Sequence, residues 1–423
     1  FNVTTGTLNM DVQVIDGGGA FNVSSVATAT LISGSPQGLN SAALSGNVQT
    51  TGGRTFGVLA NYTFAGSSPQ VTGDGVTAAT TLTINNASGV AASSAISAVN
   101  LNLSSGVFTT TTANLLTITG IAVIGGTPSA TACVSGPVDR VIPANRSTAL
   151  TLLYPLGKGG SYNPFELVNP TTSAGGSVTI RAEVFNANAG GTSGAGFASL
   201  NTNRYWSSSI TAGAANLLTS GAIKLTETSP ALVSGTHGIG QSSTIGGTYA
   251  YKGGTVSAPT IQTSSTLNPG YGYFVIGTIG PITCPSPILV VGPGGDFISL
   301  TDASAVLNGL PINCNLILEL NASYNPALET FPVTFNNFSY GVGGPFTVTV
   351  RPATGSTPTV TGASATGLIT LNGADYMIFD GRPGGVGSPL GFSLTNTNVS
   401  GTTLSLLNDA QNNSIRYMDI SGS

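Results

Sequence analysis

The chain has 423 residues, and only 6% of them are charged: 11 Lys and Arg against 15 Asp and Glu, for a net charge of −4. An ordinary soluble domain carries about 25% charged residues, and the lack of a basic stripe excludes ordinary nucleic-acid binding. No apolar stretch approaches the roughly 18–20 residues that a transmembrane helix needs, so we expect no membrane span. With 59 glycines and 40% hydrophobic residues, the composition favours short strands and tight turns over disorder.

The first region, residues 1–132, repeats imperfectly. The segments that resemble one another are Phe1–Thr5 with Phe21–Ser25, and Leu82–Asn85 with Leu101–Ser104 and Leu116–Thr119. Each alternates apolar and polar residues between Gly, Asn or Ser, which is typical of short strands. A repeat of about 20 residues with one strand in each unit predicts a β-solenoid-like module. An antiparallel sandwich whose strands happen to look alike is the alternative.

The second region, residues 133–280, differs in composition. It contains the first cluster of charges and many aromatic residues, including the single tryptophan, Trp206. Val178–Val184 and Tyr271–Ile276 alternate like strands with one buried face. Strands about ten residues apart, separated by turn residues, predict an antiparallel β-sandwich with Trp206 in its core.

The third region, residues 285–423, begins with the best helix candidate, Phe297–Leu307, for which Ser299 or Thr301 would be the N-cap. The strands predicted after it are Leu316–Leu320, Phe346–Val350, Leu368–Leu371, Tyr376–Phe379, Phe392–Leu394, Leu404–Leu407 and Ile415–Ile420. Short strands about 10–16 residues apart predict the rungs of a parallel β-helix, with a helix near Leu300–Leu307 as its N-terminal cap. Because no closing element follows the last strand, we expect this β-helix to be truncated at the C-terminus.

Residues suited to catalysis are few and scattered. The only histidine, His237, lies in a glycine-rich segment that we interpret as a surface turn, and no G-x-S-x-G motif occurs. Gly157–Gly160 contains a lysine but lacks the spacing of a phosphate-binding loop, so it is interpreted as a turn.

Carboxylates are the remaining candidates, because a glycosidase needs two carboxyl groups about 5–10 Å apart. The candidates in the last region are Asp375, Asp380, Asp409 and Asp419. Asp375 and Asp380 lie at opposite ends of one predicted strand, about 17 Å apart if the chain is extended. Turn chemistry explains these residues better than a catalytic pair or a calcium site. We therefore predict no catalytic residue, no cofactor-binding residue and no metal site.

The three cysteines are too few for a disulfide framework, and they lack zinc-ligand spacing. In an oxidising exterior, pairing of two of them is expected. We predict a disulfide between Cys284 and Cys314, both near the entry to the predicted β-helix. A bond between Cys133 and Cys284, at the two ends of the middle region, is the alternative.

Three sets of segments resemble a known class of protein. They are Thr81–Val90 with Leu101–Gly106; Tyr154–Gly160 with Pro164–Thr172; and Glu329–Phe335 with Val348–Ala353, Leu371–Tyr376, Phe379–Arg382 and Asn412–Tyr417. In this order they resemble the modules of large secreted surface proteins of Bacteroidota, exported by the type IX secretion system, which include adhesins of the gliding-motility type. The third set is similar to the opening of their right-handed, pectin-lyase-like parallel β-helix.

The resemblance implies an all-β structural and adhesive segment of a long cell-surface fibre, without enzymatic activity. It would act as a stiff spacer and a multivalent adhesion surface. Its expected partners are the type IX export machinery and surface polysaccharides or solid surfaces. Its expected location is extracellular, attached to the outer membrane through parts outside this sequence. The alternatives are a polysaccharide lyase or hydrolase, and a carbohydrate-binding module for which Tyr205 and Trp206 are the aromatic candidates.

Overall fold

The structure is a computed structural model that describes residues 1–147, 149–264, 267, 270–282 and 288–422. Strands account for 46% of the chain, and the only α-helix in the described residues is α1, Leu300–Leu307. The predicted all-β class is therefore confirmed. The helix also lies where the sequence placed it, because the Ser299 side chain accepts a hydrogen bond from the Asp302 amide as its N-cap.

The chain divides into two compact units. The first contains residues 1–188, 203–231 and 270–273, and the second contains 189–202, 232–269 and 274–423. The predicted modules 1–132, 133–280 and 285–423 follow other boundaries and stay a prediction.

The strands are short and follow one another closely along the chain. The first seventeen are β1 Asn2–Val3, β2 Gly6–Asn9, β3 Ile15–Gly17, β4 Phe21–Val23, β5 Ala29–Ser33, β6 Val48–Thr50, β7 Arg54–Phe56, β8 Asn61–Phe64, β9 Gln70–Val71, β10 Ala78–Asn85, β11 Val90–Ala91, β12 Ile96–Ser105, β13 Phe108–Thr109, β14 Leu116–Ile118, β15 Gly125–Gly126, β16 Val134–Ser135 and β17 Val138–Ile142. The next sixteen are β18 Thr151–Tyr154, β19 Gly157–Lys158, β20 Ser161–Tyr162, β21 Phe165–Val168, β22 Thr171–Thr172, β23 Val178–Phe185, β24 Thr192–Ser193, β25 Phe197–Leu200, β26 Tyr205–Ala212, β27 Leu217–Thr219, β28 Ala222–Thr226, β29 His237–Ser242, β30 Thr248–Tyr251, β31 Thr255–Ser257, β32 Thr260–Gln262 and β33 Gly272–Ile279. The last eleven are β34 Ile288–Val291, β35 Leu316–Leu320, β36 Val333–Asn336, β37 Val348–Pro352, β38 Thr359–Gly362, β39 Ile369–Asn372, β40 Met377–Asp380, β41 Phe392–Asn396, β42 Leu404–Leu407, β43 Ser414–Arg416 and β44 Met418–Gly422.

In the first unit, the strands up to β17 pair in parallel, and the repeats seen in the sequence are neighbours in the sheets. Asn2 of β1 pairs with Asn22 of β4, and Leu82 of β10 pairs with Leu101 of β12. The third repeat is shifted, because Leu116 of β14 pairs with Ile96 rather than Leu101. The similarity of these segments therefore arises because parallel neighbours place equivalent residues in the same environment.

Later strands of the first unit pair in antiparallel fashion. β23 lies between β17 and β26, and β21 lies between β18 and β28. The alternation predicted for Val178–Val184 is confirmed, since every second residue of β23 is buried. The predicted core position of Trp206 is also confirmed, because its side chain is fully buried.

In the second unit, the strands from β34 onward form three parallel sheets. Their strand orders are β34-β35-β37-β40-β43, β36-β39-β42 and β38-β41-β44. From β37 to β44 the chain visits the first, third and second sheets in a fixed rotation. Leu318, Val350 and Phe379 are stacked in register and share one buried core with α1.

Some strands of this region were not predicted. β36 and β38 were missed because each contains only one or two apolar residues, Val333 with Phe335 in β36 and Val360 in β38. The single strand predicted at Ile415–Ile420 is wrong, because the chain forms β43 and β44 there. They are separated at Tyr417, whose φ of 53° takes the backbone out of the extended conformation.

Candidate functional site

Asp380, one of the predicted carboxylates, lies at the end of β40 and is buried. It accepts hydrogen bonds from Arg382 Nη2 at 2.6 Å and from Arg416 Nη2 at 2.9 Å. The hydrogen bonds from Arg382, with a smaller contribution from Arg416, outweigh the effect of burial and lower its pKa to about 2. Asp380 therefore remains a charged acceptor and is unsuited to donate a proton as a general acid at neutral pH.

Asp380 belongs to a column of alternating charges along the first parallel sheet. Glu319 pairs with Arg351 across β35 and β37, and their side chains are joined at 2.8 Å. Arg351 and Asp380 directly follow the paired residues Val350 and Phe379, and Asp380 pairs with Arg416 of β43. We call Glu319, Arg351, Asp380 and Arg416 the charge ladder. Its alternation favours this strand register over one that places like charges opposite each other.

The other predicted carboxylates do not join Asp380. Asp375 accepts a hydrogen bond from the Gln411 amide at 2.5 Å, and Asp409 and Asp419 are exposed. Asp409 has a φ of 65°, which fits the predicted turn role. Within the described residues, no group of three or more His, Cys, Asp or Glu is placed to hold a metal ion.

The two other segments considered for catalysis have local structural roles. The turn predicted at Gly157–Gly160 is confirmed: Gly159 and Gly160, with φ of 55° and 78°, join the paired strands β19 and β20. His237 is not in a turn as predicted but is the half-buried first residue of β29. Its Nδ1 accepts a hydrogen bond from the Val233 amide at 3.1 Å.

The aromatic candidates for carbohydrate binding do not form an exposed platform. Trp206 Nε1 donates a hydrogen bond to the Asn163 carbonyl at 2.9 Å inside the core. Tyr205 is buried and stacks on Phe185 with the ring centres 4.6 Å apart. Both side chains are therefore used for packing in the first unit.

Exposed and half-buried polar side chains form ladders between neighbouring strands of the parallel sheets. Asn372 Nδ2 donates to Asn336 Oδ1 at 2.8 Å, and Asn408 Nδ2 donates to Asn372 Oδ1 at 2.5 Å. We call these three residues the amide ladder. On the third sheet, hydroxyl pairs join Thr359 to Ser393 and Thr395 to Ser421. Parallel strands about 4.8 Å apart repeat such groups at a regular interval along the surface.

Two clefts are lined by residues of the second unit. One, of about 550 Å³, is lined by residues that include Gln241, Ser242, Thr248 and Asp296. The other, of about 430 Å³, is lined by hydroxyl-bearing residues that include Tyr324, Thr357, Thr359 and Thr361. Both clefts are lined by side chains that carry hydrogen-bonding groups.

Several buried charged groups were not singled out by the sequence analysis. Arg140, fully buried, donates to the carbonyls of Leu153 and Gly120 at 2.8 and 2.9 Å, and burial lowers its pKa. Lys252 and Asp302 are also fully buried and form an ion pair, with Nζ 2.9 Å from Oδ2. In the sequence, only the strand alternation around Arg140 could have indicated that its side chain is buried. No sequence pattern indicates that Lys252 pairs with Asp302.

A carboxylate stabilises the start of α1. Glu329 accepts hydrogen bonds from the amides of Leu300 and Thr301, each at 2.7 Å. The negative charge offsets the positive end of the helix dipole. Burial and the nearby Glu329 raise the pKa of Tyr324 far above its usual range, while its hydroxyl donates to Glu329 at 2.7 Å.

The states of two cysteines bear on the predicted disulfide bonds. Cys314 is disulfide-bonded, and Cys133 is a free, buried thiol. The alternative bond between Cys133 and Cys284 is therefore wrong. Cys284 lies outside the described residues, so the bond between Cys284 and Cys314 stays a prediction.

No protein-family model, no curated protein and no solved structure matches the chain. Among the helices of the described residues, none has the length and apolar character that crossing a membrane requires. The fold and the site therefore define an all-β chain whose parallel sheets carry ladders of charged, amide and hydroxyl side chains.

Proposed function

We propose that the chain is a structural and adhesive segment of a long extracellular fibre. Residues 1–132 would be a solenoid-like module, 133–280 a β-sandwich and 285–423 the start of a right-handed parallel β-helix. The fixed rotation of the chain through three parallel sheets from β37 to β44 is the observation that carries this proposal. Each rung donates its backbone hydrogen bonds to the next, which makes such a stack stiff along its length.

The polar surface supports adhesion. Only 6% of the residues are charged, while amide and hydroxyl groups repeat along the sheets. A single hydroxyl–amide contact contributes little, but many equally spaced contacts act together when the fibre lies on a hydroxyl-rich polysaccharide. The proposal includes a cell-surface location and export through the type IX system because of the sequence resemblance.

Adhesion is tested with beads coated with the full chain and washed under flow over layers of neutral and acidic polysaccharide. A variant with the amide ladder changed to alanine (Asn336, Asn372 and Asn408) should release several-fold faster than the unchanged chain. The matched control changes three exposed polar residues outside it: Thr5, Thr55 and Ser234. Equal release of both variants and the unchanged chain would contradict adhesion through the ladder.

Catalysis is the competing function for the parallel sheets, and we propose that it is absent. Asp380 pairs with Arg416 of the charge ladder and with Arg382, and these ion pairs account for the carboxylate without a reaction. The chain is incubated with acidic and neutral polysaccharides in the presence of calcium, and new chain ends are measured. Turnover that is lost in Asp375→Asn or Asp380→Asn, with the fold intact, would replace the structural function with a lyase or hydrolase.

A further inference from the structure

The strongest unexplained feature is the ion pair between Lys252 and Asp302 in the second unit. The side chains of both residues have 0% exposure, and Nζ lies 2.9 Å from Oδ2. Asp302 Oδ1 has no hydrogen-bond partner among the described residues. A buried ion pair with unsatisfied atoms is costly, because both charges have lost their hydration. Because both side chains are fully buried, neither charged group can regain hydration from solvent.

Hydrogen bonds hold the backbones of both Lys252 and Asp302 in place. The Lys252 amide donates to the Ile239 carbonyl at 2.8 Å, and the Lys252 carbonyl accepts from the Ser264 amide at 3.0 Å. Asp302 lies in the first turn of α1, where its amide donates to Ser299 Oγ at 3.0 Å. The amine and the carboxyl group are therefore fixed in contact, which is the arrangement that accelerates a reaction between two groups.

From this geometry we propose that Lys252 and Asp302 condense into an intramolecular amide cross-link. Transfer of a proton from the ammonium to the carboxylate removes both buried charges and leaves a neutral amine and a carboxylic acid. The amine lone pair then attacks Cγ of Asp302. The new N–C bond forms, the bond from Cγ to its hydroxyl breaks, and the amine proton leaves with that hydroxyl as water.

The surroundings of Asp302 favour loss of the hydroxyl group from Cγ. The Ile298 amide donates to Oδ2 at 3.3 Å, and the carboxyl group lies in the first turn of α1. Both stabilise the negative charge that Oδ2 takes up as its bond to Cγ breaks. Oδ2, which receives the proton from Nζ at 2.9 Å, is the oxygen that leaves as water, and Oδ1 becomes the amide oxygen. The reaction consumes no oxidant or other reactant, and excluded water prevents rapid hydrolysis of the product.

The cross-link would close a loop between positions 50 residues apart, joining the segment after β30 to the helix before β35. The cross-link goes beyond the proposed adhesive function, because it is a covalent modification that can be tested without any ligand. Under tension, the segment between the two residues could not extend.

The test is the intact mass of the purified, reduced full chain after storage at neutral pH. We expect a mass lower than the sequence value by one water molecule, and a branched proteolytic peptide that joins Lys252 to Asp302. The variants Lys252→Arg and Asp302→Ala should both have their full sequence mass, a readout that does not depend on folding. The pair Lys224–Glu166, with Nζ 2.8 Å from Oε2 and both side chains partly open to solvent, is the internal control and should stay unlinked.

Two results would overturn the proposal. One is an unchanged chain with its full sequence mass and no branched peptide. The other is a mass loss that persists in Lys252→Arg, since this assigns the lost water to dehydration at another site, such as cyclisation at Asp380–Gly381.

Discussion

Replacing Asp380 by asparagine should destabilise the parallel sheets in a way that depends on pH. The pKa of Asp380 is about 2 against an ordinary 3.8, a difference that corresponds to about 2–3 kcal/mol. The carboxylate is buried, but Arg416 is 46% exposed, and solvent screening reduces the effect. We therefore expect Asp380→Asn to lower the free energy of unfolding by about 1–2 kcal/mol at neutral pH.

The sign of the pH dependence follows from the direction of the shift. Because the pKa is lower in the folded chain, the stabilisation is complete above about pH 4 and is lost as the pH falls towards about 2. The difference between the unchanged chain and Asp380→Asn should shrink over the same range. Urea titration with pulsed hydrogen exchange and mass spectrometry measures unfolding of the peptide that contains Met377–Asp380 separately from the first unit.

Asp419→Asn is the matched control, since Asp419 is an exposed aspartate of the same sheets. It should change the free energy of unfolding by less than about 0.5 kcal/mol. A difference between the unchanged chain and Asp380→Asn that stays constant down to about pH 2 would refute the reasoning, because it would not arise from the ionised carboxylate.

Three further predictions concern other parts of the chain. Trp206→Ala should destabilise the first unit by about 3–5 kcal/mol in urea titrations followed by circular dichroism, because it empties a fully buried site. Gly106→Ala should lower the melting temperature more than Gly160→Ala. Both glycines have positive φ, but an added Cβ would lie on the Asn86 carbonyl oxygen at Gly106 and meet nothing within 4 Å at Gly160. The Cys133 thiol, whose pKa burial raises to about 11, should react with a disulfide reagent only after unfolding. The denatured, unreduced chain should then yield one thiol if Cys284 and Cys314 are bonded to each other, and three if they are not.

The sequence was most informative where local physical preferences and the final environment agree. The Ser299 cap and the apolar face of Leu300–Leu307 were sufficient to place the helix, because a cap and a periodic pattern are local signals. The similarity of Phe1–Val3 to Phe21–Val23 predicted a repeat, and Asn2 and Val3 pair in register with Asn22 and Val23. Parallel stacking makes this kind of similarity visible, since neighbours in a stack fill equivalent positions.

The sequence was least informative for groups whose environment depends on distant parts of the chain. Asp380 looked like a turn residue, but its low pKa depends in part on Arg416, 36 residues away in the chain. Nothing local distinguishes the buried Lys252 from an exposed lysine, because its partner Asp302 comes from a different element. Val360 alone could not reveal β38, whose strand conformation follows from pairing with β41.

The central claim is that the parallel sheets form a stiff spacer, and single-molecule extension tests it most directly. The full chain is held by handles placed at Ile288 and Gly422 and extended at constant speed. We predict that the length between the handles stays nearly constant as the force rises, until it increases in abrupt steps as rungs separate. A smooth extension from the lowest forces, like that of an unfolded chain, would contradict the account.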